Sequence, residues 1–116
     1  MSVITYNKLV RDRIPEIISN DPNTEVIKLH RVNNKDEFID VLLLKLTEES
    51  CELKEACLSD KVNVLKELAD VHEVLDEILT QFGYSKDDLR EARKTKAEQR
   101  GLFKDKIYLE SVQTHN

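Results

Sequence analysis

At 116 residues the chain has the length of one domain, with room for a modest core. Its 23 acidic residues outweigh 18 Lys and Arg, for a net charge of −5, which argues against a general nucleic-acid or acidic-membrane binder, since both display a large basic field. No apolar run approaches the ~20 residues that span a bilayer, and the opening MSVITYNKLVRD lacks the apolar segment of a secretory signal, so a cytoplasmic protein is expected.

The first stretch, ITYNKLVRDRIPEII, places Lys8, Arg11 and Arg13 before and around a short helix whose start is marked by Pro15. Asn20 to Asn23, with Pro22, closes it. A basic arm on an acidic protein has two readings: a surface tail making ordinary ion pairs, or a clamp for phosphate. Residues 25–32 (EVIKLHRV) alternate imperfectly and predict a short strand or extended connector, in which a lone His30 reads as a surface or packing residue.

Asn34 with Glu37 resembles a capping box and opens a long helix over about Lys35 to Cys57. Asp60 or Ser59 is expected to cap a second helix over about Lys61 to Phe82, ended by Gly83. The short link makes the two antiparallel neighbours. Ser85 starts a third, with Asp87 and Asp88 in its first turn, Arg100 in its last and Gly101 beyond. That helix is mainly polar and carries Arg90, Arg93, Lys94, Lys96 and Arg100, so it is either a solvated basic surface or a cationic wall for a polyphosphate. Residues 102–109 could add an edge strand or a packing tail. Cys51 and Cys57 point about 120° apart on one predicted helix and cannot bridge locally, so both are expected to be reduced, structural thiols.

The long helices cannot bury their wide apolar stripes in a lone hairpin. The expected fold is therefore all-α: one domain over residues 1–116, an antiparallel helical hairpin plus a third helix, with a four-helix bundle completed in a homodimer or homotetramer.

Two acidic signatures face each other across this hairpin: EESCE, Glu48 to Glu52, and ELAD, Glu67 to Asp70. At about 100° per residue, Glu49 and Glu52 fall on or beside the apolar stripe of their helix, Glu67 falls inside the stripe of the next, and Asp70 lies on its border. Counting about 1.5 Å per residue from a turn near Leu58 and Ser59 sets the four at two facing levels. Ionised carboxylates this close repel by on the order of 4 kcal/mol per pair at an effective dielectric near 20, so they need a cation or protons. An oxygen-only donor set suits magnesium, manganese or calcium, and magnesium commonly shares phosphate ligands. A di-iron site would want Glu-x-x-His on two helices, which His72, five residues after Glu67, does not supply. Metal-assisted hydrolysis is the reaction class that fits.

The pattern Glu48, Glu49, Glu52, then Glu67, Asp70 resembles the MazG-like all-α nucleotide pyrophosphohydrolases, which include phosphoribosyl-ATP pyrophosphohydrolase and dimeric dUTPase. YNKLVRDRIPEI at Tyr6 to Ile17 and KAEQRGLF at Lys96 to Phe103 are similar to one small branch of that family, although Leu102 stands where the branch commonly has a second Gly. The resemblance implies Mg²⁺-dependent hydrolysis of a nucleoside triphosphate between its α and β phosphates, with Mn²⁺ as a substitute. It implies metal ligation by Glu49, Glu52, Glu67 and Asp70, and help from Glu48 in supporting the site or orienting the attacking water. Lys8, Arg11, Lys96 and Arg100 would grip the phosphates. House-cleaning of non-canonical or surplus nucleotides is the leading expectation; the phosphoribosyl-ATP step of histidine biosynthesis and a non-catalytic helical interaction module are the alternatives.

Overall fold

A computed structural model describes residues 2–59 and 61–115. It is all-helical: α1 (Ile14–Ser19), α2 (Lys35–Leu58), α3 (Val64–Gln81) and α4 (Lys86–Arg100) follow in order. The strands suggested at 25–32 and 102–109 do not form, and there is no strand among the described residues. In 25–32 only Val26, Ile27, Leu29 and Val32 are apolar, in an order that breaks the two-residue alternation a half-buried strand needs. No helix is long and apolar enough to cross a membrane.

The chain divides into two compact units, residues 1–83 and 84–116. The first holds α1, α2 and α3. Asn34 caps α2 as expected, its side chain accepting the Glu37 N–H at 3.0 Å, and Asp36 and Glu37 place negative charge at the positive end of the helix. Helix α2 stops through a backbone bond of the Schellman kind, from the Lys61 N–H to the Ala56 carbonyl at 3.1 Å.

That stop moves the start of α3. Lys61 is turned into the left-handed region (φ 65°), so the chain reverses there and α3 begins three residues later than the sequence suggests, at Val64. Asn63 precedes it without a side-chain cap. Ser59 instead terminates α2, giving its N–H to the Glu55 carbonyl, and Asp60 lies outside the described residues. Gly83 ends α3 as expected, at φ 78° with its N–H on the Thr80 carbonyl.

Helices α2 and α3 pack on each other. On α2 the buried positions are Leu42, Glu49 and Ala56, spaced by seven, and on α3 the buried position is Val74, seven after Glu67. The contact stripe is thus a seven-residue register into which acids intrude. Many apolar side chains are left outside it, Leu44 at 71% and Leu65 at 80% exposed among them. No disulfide joins Cys51 and Cys57, and both are exposed, so they do not pack as structural thiols.

The second unit is built on α4. Ser85 and Asp88 form a reciprocal capping box, with the Asp88 N–H on Ser85 Oγ at 3.1 Å and the Ser85 N–H on Asp88 Oδ2 at 2.8 Å. Gly101 closes the helix at φ 78°, where an L side chain would be strained. No residue of α4 is buried.

Candidate metal centre

Helical phase carries the acids inward. Glu49 sits one heptad after Leu42 and one before Ala56, so it takes a core position and is 6% exposed. Glu52 follows on the next turn of the same face, and Glu67 and Asp70 are set the same way on α3. One carboxylate oxygen from each of Glu49, Glu52, Glu67 and Asp70 lies within 4.8 Å of all the others.

The cluster is under-neutralised. Oε2 of Glu49 and Oε2 of Glu67 are buried with no hydrogen-bond partner among the described residues, a costly state for a polar atom removed from water. Glu52 and Glu67 have no ion pair with a basic residue among the described residues, and the cations present approach from the rim. Arg11 Nη2 is 2.7 Å from Asp70 Oδ1, and Lys8 Nζ is 3.2 Å from Glu48 Oε1.

Lys45, one turn earlier on α2, reaches Glu48 Oε2 at 3.2 Å and Glu49 Oε1 at 3.1 Å. Nothing in the sequence alone singles this residue out. The signal was its spacing, three and four positions before two acids, which is indistinguishable from an ordinary surface pair until burial is known.

These partners separate two neighbouring acids. Burial drives the Glu48 carboxyl upward, but the hydrogen bonds and charges of Lys45 and Lys8 outweigh it and hold the group below the usual carboxylate range. For Glu49, burial is the largest influence and Glu52 adds to it; together they exceed the pull of Lys45, so its carboxyl titrates above the usual range. Burial pulls the Lys45 ammonium downward, yet the two carboxylates raise it overall, so it stays charged near neutrality. Glu48, with both oxygens on ammonium groups, is outside the group of four.

The four carboxylates fit a hard divalent cation. They supply oxygen donors only, at a mutual spacing one ion can span, and two of their oxygens are buried and lack a partner that an ion would provide.

Of the basic residues singled out in the sequence, Lys8 and Arg11 come to the acids, tying the irregular arm before α1 to α2 and α3. Lys96 and Arg100 are exposed on α4 in the second unit, where Arg100 lines a concavity of about 710 Å³ together with residues 101–107. His72 and His30 are exposed. The Lys8 ammonium also lies 5.7 Å from the centre of the exposed Tyr6 ring. No protein-family model, curated protein or solved structure matches the chain.

Proposed function

We propose that this protein is a Mg²⁺-dependent nucleoside triphosphate pyrophosphohydrolase that accepts Mn²⁺ and cleaves between the α and β phosphates to yield a nucleoside monophosphate and pyrophosphate. Its role would be cytoplasmic house-cleaning of non-canonical or surplus nucleotides. One observation carries the reading: four carboxylates from two packed helices, each offering an oxygen within 4.8 Å of the rest, with two buried oxygens lacking any partner. The sequence resemblance to MazG-like enzymes supplies the substrate class.

In this reading Glu49, Glu52, Glu67 and Asp70 hold the cation. The ion so held would offset charge on the phosphoryl oxygens and lower the pKa of a bound water. Glu48 stays ionised between Lys8 and Lys45. Each of its oxygens keeps a lone pair, so it can accept a hydrogen bond from the attacking water, and Glu49 flanks that water from the buried side. Lys8 and Arg11 retain donors beyond those spent on Glu48 and Asp70, and these are assigned to the triphosphate. For Lys96 and Arg100 the sequence resemblance alone supplies a role, that of further phosphate contacts.

The α2–α3 pair is read as the antiparallel hairpin of a four-helix bundle that a second copy completes, as a homodimer or homotetramer. What supports this is the small buried set, Leu42, Ala56 and Val74, beside apolar residues as exposed as Leu44 and Leu65.

A screen for pyrophosphate release across nucleoside triphosphates, with phosphoribosyl-ATP alongside, tests the reading. Pyrophosphate rather than single phosphate should appear, and only with divalent metal. Preference for phosphoribosyl-ATP would move the protein to histidine biosynthesis, and no release from any nucleotide would leave a helical interaction module.

A further inference from the structure

In the reaction described above Lys45 only helps to keep Glu48 ionised, yet its setting is unusual for a lysine. Its side chain is 15% exposed, whereas lysines are almost never deeply buried unless paired, and it is paired twice. Nor does it serve the helix. A lysine placed three and four residues before glutamates is the less favourable order for the helix dipole, so local helix stability does not explain it.

Its contacts divide the oxygens of Glu49 between two tasks. Oε1 accepts from the Lys45 ammonium at 3.1 Å, while Oε2 is buried with no partner. A side chain free to rotate about its last bond would exchange the two oxygens; an ammonium fixed on one of them prevents this. The second hydrogen bond of Lys45, to Glu48 Oε2 at 3.2 Å, fixes the ammonium itself by joining it to a neighbouring acid on the same helix.

We infer that Lys45 is a positioning residue for the metal centre, holding Oε1 of Glu49 so that Oε2 is the oxygen presented to a divalent cation. This rests on the reading of the four acids as a metal site. It leads to an effect whose sign is opposite to that of simple charge. A lysine beside a cation site repels the cation, so removing one that only neutralised the acids would tighten metal binding. Removing one that orients a ligand loosens it.

The test is calorimetric titration of Mn²⁺ into metal-stripped protein without nucleotide, comparing the parent with Lys45→Met, Lys45→Gln and Lys45→Arg. Positioning predicts that Lys45→Met binds Mn²⁺ roughly tenfold or more weakly, the usual effect of losing a group that orients a metal ligand. Lys45→Arg, which can still donate to Glu49, should return most of the affinity. Equal or tighter binding by a folded Lys45→Met overturns the inference, as does Lys45→Arg binding as weakly as Lys45→Met. If Lys45→Met loses its helical circular dichroism, Lys45→Gln, whose uncharged amide stops one atom short of the lysine nitrogen and so loses the bond to Glu49, carries the same comparison with the same sign. Failure of the parent to bind Mn²⁺ would instead overturn the metal site, a result distinguishable from loss of the Lys45 role alone.

Discussion

Helix α4 and the α2–α3 pair draw on the same charged side chains and put them to different ends. On α4, Asp87 pairs with Arg90 at 2.6 Å, Asp88 turns back to cap the helix, and nothing is buried. Both acids are satisfied within one turn and face solvent. On α2 and α3, Glu49, Glu52, Glu67 and Asp70 meet across a packed contact, and two of their oxygens find no hydrogen-bond partner among the described residues. The lesson is that abundance of acid carries no functional signal. Phase relative to the apolar stripe does, because only acids in phase with it are drawn out of water and into each other's company.

Neutralising substitutions sharpen this contrast, and the largest effect should be on turnover. Glu52→Gln or Asp70→Asn should cut Mg²⁺-dependent pyrophosphate release by about a hundredfold or more, with helical circular dichroism preserved. Both variants hydrolysing at the parent rate would mean that the assigned ligands are wrong.

Next comes metal-free stability. Glu67→Gln removes a half-buried carboxylate that repels three others, and should raise stability by on the order of 1–2 kcal/mol, or several degrees in melting temperature. Glu98→Gln on the exposed α4 should stay within about 0.5 kcal/mol of the parent. Equal shifts in the two would erase the distinction between the regions.

On the α4 side, Ser85→Ala breaks the capping box and should cost about 1 kcal/mol of local helix stability, read by amide hydrogen exchange over the first turn. Arg11→Ala should cost less, since half-exposed pairs contribute about 0–1 kcal/mol, and its loss should shrink further at high salt.

The smallest effect is a pH dependence. The backbone N–H of Ser85, then its side chain, hold Asp88 below its ordinary value of 3.8. A carboxylate with a lowered folded pKa stabilises fully above the unfolded value and loses that contribution as pH falls through the folded one. Acid titration followed by circular dichroism should therefore show α4 losing support below about pH 3.8, and Asp88→Asn should lack that component.

Much of this was legible in the sequence. The Asn34 and Ser85 caps, the Gly83 and Gly101 stops and the Pro15 start are local signals, decided within a few residues, and all five mark real helix ends. The convergence of the four acids was legible as well, because helical period fixes direction before any packing is known. What escaped depends on contacts across the chain. The delayed start of α3 follows from a bond between Lys61 and Ala56 that no cap signal announces. Lys45 looks like an ordinary helix charge until burial sets its partners. The imperfect alternation of 25–32 suggests a short strand or extended connector, and with no strand formed among the described residues nothing pairs with it.

The four acids converge with charge that the described residues leave uncompensated, and a divalent cation is expected to compensate it. Titration calorimetry of Mg²⁺ into metal-stripped protein tests it most directly. Saturable binding by the parent and by Glu98→Gln, and its loss in Glu67→Gln, is the expected result. A parent that binds no Mg²⁺, or a Glu67→Gln variant that binds it as the parent does, would contradict the account.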